Sequence, residues 1–235
     1  MPEHLGALCE AVRTHGADVG FAQDMDADRL AVVNERGEAV GEEYTLVLAA
    51  RYVLARERGP VVANLSTTNV LDAVVRAFDC PIYRSKIGEA NVTEEMQRRG
   101  AVVGGEGNGG VIYPRINFAR DSLVGMALIL HLLASTDRTV SDLLSELPRS
   151  FMLKEKLACR SDRIGRVLKR VRAVYARWPQ DLRDGVKVTT PEGWLLVRAS
   201  NTEPIIRLVA EGETEEKARR MIEDLRAVVE DCLNS

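Results

Sequence analysis

The sequence predicts an α/β protein in which doubly wound α/β domains are followed by a small α+β domain. Three observations predict it. Short β-branched runs alternate with helix-periodic segments between residues 60 and 134, as successive βαβ units do. An apolar run over 17–22 stops abruptly at carboxylates, as a buried strand does where it meets a ligand crevice. Past residues 146–152 the alternation gives way to one helix, three consecutive strands and a last helix.

Taken in order, Leu5, Leu8, Cys9 and Val12 recur at helical spacing and predict a helix over 3–13, with Gly16 as its stop and the run 17–22 as a strand. Residues 30–33 and 38–40 flank Asn34-Glu35-Arg36-Gly37 and predict a β-hairpin, and a helix follows over about 42–58. These first elements leave sheet edges uncovered and too little mass for a core, so the start reads as truncated. Strands at 60–65, 81–83 and 101–104 alternate with helices at 70–78 and 92–99, and an apolar helix over 122–134 closes the domain. The remainder predicts a helix over 161–176, strands over 186–190, 194–198 and 205–211, and a helix over 214–232.

Composition narrows the class. The chain has 235 residues, 46% hydrophobic and 29% charged, which suits a folded globular protein. A net charge of −3 gives no general reason to bind nucleic acid. No stretch approaches the roughly 20 apolar residues of a membrane span, and residues 1–10 lack the features of a signal peptide. Cys9, Cys80, Cys159 and Cys232 are scattered without metal or disulfide spacing, so a cytoplasmic protein with reduced thiols is expected.

Three loops carry chemistry. Asp24, Asp26 and Asp28, followed by Arg29, place three carboxylates on alternate residues past a strand. They repel one another unless a hard divalent ion such as Mg²⁺ sits among them. An EF-hand fails because Arg29 stands where that loop needs glycine. A haloacid-dehalogenase-type phosphatase, with Asp24 as nucleophile, stays open although Asp28 departs from its pattern. The second loop, Gly104 to Gly110, formally contains GxGxxG. It precedes a predicted strand over 111–114, not a helix, and Glu106 would repel a pyrophosphate. Glu106 and Asn108 suit paired hydrogen bonds to sugar hydroxyls instead. In the third loop, Arg198, Ser200, Asn201 and Thr202 bring a guanidinium fork, hydroxyls and an amide together between two strands. Those are phosphate-binding parts, and Arg207 can return beside Arg198.

In order and spacing these loops resemble the α-D-phosphohexomutase family. Its metal loop DxDxDR is matched by Asp24, Asp26, Asp28 and Arg29, and its GE-x-[SN]-G segment by Glu106 and Asn108. Its RxSxTEP loop is matched by Arg198, Ser200, Thr202 and Glu203-Pro204. Further similarity lies in Ala63 to Thr68 and in Ser85-Lys86-Ile87-Gly88-Glu89, and the glycine loop looks closest to phosphoglucosamine mutase-like members.

The resemblance implies a Mg²⁺-dependent isomerase that moves a phosphoryl group between the 1- and 6-positions of a hexose phosphate, through a bisphosphate intermediate and a catalytic phosphoserine. It implies that residues 1–58 are the C-terminal part of a second α/β domain, 59–147 a third α/β domain and 148–235 the α+β domain. Arg29 and Lys86 are then the catalytic candidates, with Lys86 a general acid or base or a phosphate contact. Glu106 and Asn108 bind the sugar, and Arg198, Ser200, Asn201, Thr202 and Arg207 bind the distal phosphate. The chain departs from the pattern at three points. No TASHNP-like serine segment occurs, Met25 replaces a common glycine, and Gly110 replaces a histidine found in many relatives. A sugar-phosphate-binding chain without mutase activity is therefore the competing expectation.

Overall fold

The computed structural model describes residues 5–200 and 203–234. The chain forms two compact units, one ending at Pro148 and the other beginning at Arg149. No helix among the described residues is long and apolar enough to cross a membrane.

In the first unit, α1 (Gly6–His15) ends at Gly16, whose left-handed backbone (φ 60°) turns its N–H back onto the Val12 carbonyl. The strands β1 (Val19–Gln23) and β2 (Leu30–Asn34) pair antiparallel, from Val19 opposite Asn34 to Gln23 opposite Leu30. The acidic loop is therefore a hairpin connection. The hairpin expected between 30–33 and 38–40 reduces to a single bridge, Val33 to Ala39. The reason is local: the Asn34 side chain accepts the Glu38 N–H at 2.9 Å and caps the turn, while β2 spends its pairing on β1.

The rest of the unit comprises α2 (Glu43–Leu54), β3 (Val61–Asn64), α3 (Val70–Ala77), β4 (Ile82–Ser85), α4 (Glu89–Arg99), β5 (Val103–Glu106), β6 (Gly110–Ile112), α5 (Ser122–Thr136) and α6 (Val140–Ser145). Its sheet runs β4-β3-β5-β6, with β3 parallel to β4 and β5, and β6 antiparallel at the edge. Both faces are covered, as near-continuous apolar strands require. Val61, Ala63, Val103 and Val111 pack with Leu46, Ala50 and Val53 of α2 and with Leu71 and Val75 of α3. Val62 and Ile112 pack on the other side with Val92 and Met96 of α4. This is the doubly wound arrangement. The apolar side of α2 shares a core with β3 and β5, across the division expected after residue 58. Leu30 and Val32 join Leu48, Ile129, Leu132 and the buried side of α6, so the β1–β2 hairpin is anchored to the same unit.

The second unit contains β7 (Phe151–Ala158), α7 (Ser161–Val174), β8 (Gln180–Asp181), β9 (Val186–Thr190), β10 (Gly193–Ala199), β11 (Ile205–Gly212) and α8 (Glu215–Asn234). Its antiparallel sheet runs β7-β11-β10-β9-β8, and one face packs on α7 and α8 through Val188, Leu195, Val197, Ile206 and Leu208 against Val167, Val171, Ile222, Leu225 and Val229. The strand β7 was not expected from the sequence. It is an edge strand whose Lys154 and Lys156 are exposed, and charge at an edge erases the apolar pattern that marks a central strand.

Candidate functional site

The acidic loop is held from two sides, by Ser122 and by Gly109. Ala27 adopts a left-handed conformation (φ 56°), and its carbonyl accepts hydrogen bonds from Ser122 Oγ at 2.6 Å and Ser122 N–H at 3.2 Å, at the start of α5. Gln23 Nε2 donates to Ser122 Oγ at 2.5 Å. Leu30 N–H donates to the Gly109 carbonyl at 3.0 Å, which joins this loop to the glycine loop.

Asp24, Asp26 and Asp28 converge: one carboxylate oxygen from each lies within 4.8 Å of the others. Arg29 clasps Asp24, with Nε donating to Oδ2 at 2.5 Å and its backbone N–H to Oδ1 at 3.1 Å. Arg120 pairs with Asp28 Oδ2, while Asp28 Oδ1 is buried and accepts no hydrogen bond. Burial pushes the Asp28 carboxyl above the usual carboxylate range; Arg120 pulls it back in part, and the charges of Asp24 and Asp26 add to the rise. Burial also acts to raise the Asp24 carboxyl, but the hydrogen bonds from Arg29 outweigh it and hold the group below its ordinary value. Arg29 Nε lies 3.5 Å from Asp28 Oδ1. An all-oxygen ligand set with one buried oxygen that accepts no hydrogen bond fits a hard divalent cation.

The glycine loop leaves the carboxyl end of β5 and returns as β6. Backbone contacts demand glycine at Gly105 and Gly109: Gly105 combines φ 155° with a Cβ position 2.1 Å from the Gly110 carbonyl oxygen, and Gly109 combines φ 91° with one 2.5 Å from the Leu30 carbonyl oxygen. A Cβ on Gly107 would stand 1.9 Å from Glu43 Oε2. Glu106 is only 3% exposed. Its Oε1 accepts from Asn64 Nδ2 at 2.7 Å and Gly88 N–H at 2.8 Å, and its Oε2 accepts from Arg120 Nη1 at 2.8 Å. The carboxylate expected to face sugar hydroxyls is thus an internal anchor in this structure. Asn108 is half-buried; its Oδ1 accepts the Gly110 N–H at 3.2 Å, and its Nδ2 has no partner among the described residues.

Asn64 lies opposite Ser85 in the sheet register and ends β3, as Ser85 ends β4 and Glu106 ends β5. Exposed Lys86 follows directly, without an ion pair among the described residues. These groups share the carboxyl ends of parallel strands, where open α/β sheets bind ligands. Sequence reasoning missed Arg120 altogether. It pairs at once with Asp28, Glu89 and Glu106, three segments distant in sequence, so no local spacing could have marked it.

In the second unit, Arg198 of β10 and Arg207 of β11 are direct cross-strand partners. Like charges so placed repel unless compensated. Arg198 Nε lies 3.4 Å from Asp184 Oδ1, and Arg207 Nη2 donates to Glu203 Oε2 at 3.0 Å. Ser200 N–H donates to the Ile205 carbonyl at 3.0 Å and closes the loop between the strands. Asn201 and Thr202 lie outside the described residues.

Comparison with known proteins agrees across the chain. Residues 41–151 match the family model described as phosphoglucomutase/phosphomannomutase, alpha/beta/alpha domain III, and residues 154–228 match the phosphoglucomutase/phosphomannomutase C-terminal domain. A probable phosphoglucosamine mutase of Methanopyrus kandleri is 36% identical over 238 residues, covering 99% of this chain and 52% of that protein. A phosphoglucomutase/phosphomannomutase of Thermococcus kodakarensis is 36% identical over 223 residues, covering 94% of this chain and 49% of that protein. Among solved structures, a phosphoglucomutase/phosphomannomutase family protein of Burkholderia thailandensis superposes with a TM-score of 0.85 at 27% identity, over 99% of this chain and 50% of the other. The chain spans about half the length of the curated relatives it matches.

Proposed function

The chain belongs to the phosphoglucomutase/phosphomannomutase family, and from that premise we propose that it supplies the metal, hexose and phosphate loops of a phosphohexomutase, acting on glucosamine phosphate. The observation that carries the reading is the cluster of Asp24, Asp26 and Asp28, with a buried oxygen that accepts no hydrogen bond, linked through Arg120 to the strand end that bears Glu106. In this reading residues 1–58 are the C-terminal part of a second α/β domain, and the family match to the third domain begins within them, at residue 41.

Asp24, Asp26 and Asp28 would hold Mg²⁺, which supplies charge neutralisation at a phosphoryl group in transfer. Arg29 keeps Asp24 ionised and adds a positive charge at the same loop. Lys86 has an exposed ammonium, without an ion pair among the described residues, beside the strand ends, where it can hold a phosphate or move a proton to a sugar oxygen. Asn108 offers Nδ2 to a hydroxyl, and Glu106 keeps an acceptor lone pair on Oε2. Arg198, Ser200, Asn201, Thr202 and Arg207 are assigned to a phosphate group. The phosphatase alternative draws no support from the family matches, which both describe phosphoglucomutase/phosphomannomutase domains.

The phosphoserine required by the resemblance is assigned to a segment outside these 235 residues, so the chain alone is expected to be inactive as a mutase. The four free cysteines suit a reducing, cytoplasmic compartment. Mn²⁺ titration followed by EPR tests the metal assignment. The chain should bind Mn²⁺, and Asp26→Asn, at an exposed position, should weaken binding by at least about tenfold without loss of fold. Unchanged binding would overturn the assignment. Saturation-transfer NMR with glucosamine 6-phosphate against glucose 6-phosphate and mannose 6-phosphate reads the sugar preference.

A further inference from the structure

We infer that Gly110 and Arg120 are a matched pair that locks the metal loop to the hexose loop: the absent side chain at 110 admits Arg120, and Arg120 then orients Asp28 and Glu106 together as a positioning residue. The inference rests on the reading of those two loops given above.

The stem of Arg120 is fixed before its head makes any contact. The next residue, Asp121, donates its N–H to the Val111 carbonyl at 2.9 Å and caps α5 by accepting the Val124 N–H at 3.1 Å. From that base the side chain crosses Gly110. A Cβ on Gly110 would stand 2.3 Å from Arg120 Cδ and 3.0 Å from Cγ, with Asn108 Oδ1 next at 3.1 Å. Gly110 is not in the left-handed region, so its backbone makes no demand for glycine. What the position excludes is a side chain in the path of Arg120.

The guanidinium divides its three nitrogens among three carboxylates. Nη2 pairs with Asp28 Oδ2, Nη1 lies 2.8 Å from Glu106 Oε2 and Nε lies 2.9 Å from Glu89 Oε2. With the Arg120 and Asp28 side chains 18% exposed and that of Glu106 4%, solvent screens the link little. By taking Oδ2, Arg120 leaves Asp28 Oδ1 as the oxygen that accepts no hydrogen bond, with Arg29 Nε 3.5 Å from it, and so as the atom a cation would use. A rigid planar fork can fix three partners at once. A lysine ammonium is a point charge on a flexible stem and cannot.

Two variants that conserve charge test the pair, Arg120→Lys and Gly110→Ala. Neither changes the net electrostatics of the cation site, so a change in affinity reports on positioning. Mn²⁺ binding by EPR and glucosamine 6-phosphate binding by saturation-transfer NMR are measured on the 235-residue chain. Both variants should weaken Mn²⁺ binding by about tenfold, the scale for losing an outer-shell partner of a metal site. The double variant should be no worse than either single one, because both remove the same link. A merely structural Arg120 would lower the melting temperature and leave the Mn²⁺ dissociation constant unchanged, and that result overturns the inference. So does Gly110→Ala that binds like the unaltered chain, which keeps the test decisive if Arg120→Lys fails to fold. If the unaltered chain binds neither probe, the reading of the loops falls, and this inference with it.

Discussion

Glu106→Gln removes one charge and almost no volume, and the structure sets its cost. The carboxylate accepts from Asn64 and Gly88 on one oxygen and from Arg120 on the other. A glutamine amide has one acceptor end and one donor end. Turned one way its NH₂ faces the Arg120 guanidinium; turned the other way it faces the Asn64 amide and the Gly88 N–H. The first orientation loses one hydrogen bond and sets two donors against each other; the second loses two and sets the amide NH₂ against two donors, so the first is the cheaper. A hydrogen bond to a charged group contributes about 1.5–3 kcal/mol, and breaking a buried pair costs about 3–5 kcal/mol. Arg120 keeps Asp28 and Glu89, so the cost falls below that of breaking a whole buried pair and near that of one charged hydrogen bond, about 2–3 kcal/mol. For a unit of this size that loss corresponds to a fall in Tm of about 4–12 °C. Differential scanning fluorimetry, checked by urea unfolding, reads it. A fall below about 1 °C, the size expected for an exposed carboxylate, would refute the description of Glu106 as an internal anchor.

Two further outcomes are expected. Gly165 lies within α7 with open space where a Cβ would be, so Gly165→Ala should stabilise the second unit by about 0.5–1 kcal/mol in urea unfolding; destabilisation would count against the open space. Glu35 accepts the Ser141 N–H at 3.2 Å and the Ser141 hydroxyl, and although burial acts to raise its carboxyl, these bonds hold it below its ordinary value. A lowered folded-state value stabilises above the unfolded carboxylate range and is lost as pH falls through the folded value. Glu35→Gln should therefore be less stable than the unaltered chain at pH 7, with the difference shrinking as pH falls below the ordinary carboxylate range; a difference that persists unchanged to low pH would refute the pairing.

What the sequence made legible was chemistry packed into contiguous residues. Asp24, Asp26, Asp28 and Arg29 stand together, and alternate carboxylates past a strand carry their own electrostatic argument. The βαβ alternation was legible because strands buried on both faces are apolar without a break, as Val61 to Ala63 are. Arg120 was hidden because its partners are Asp28, Glu89 and Glu106, brought together only by folding. The burial of Glu106 was hidden for the same reason: nothing in Gly-Glu-Gly-Asn reveals Asn64 and Gly88 waiting beside it. The strand β7 escaped because an exposed edge tolerates Lys154 and Lys156, and α6 because six residues are too few to display a period.

The position of β7 also bears on how the second unit comes into being. It is the first strand of that sheet to be synthesised, yet its neighbour is β11, with Phe151 opposite Gly212 and Ala158 opposite Ile205. When β7 leaves the ribosome its partner does not yet exist, and at about 5–20 residues per second the wait lasts on the order of several seconds. During that interval Phe151, Leu153 and Leu157 belong to an unpaired strand, and alternating lysines keep it from pairing with another nascent chain. The charges that concealed β7 from sequence reading would thus serve as its protection before the fold can close.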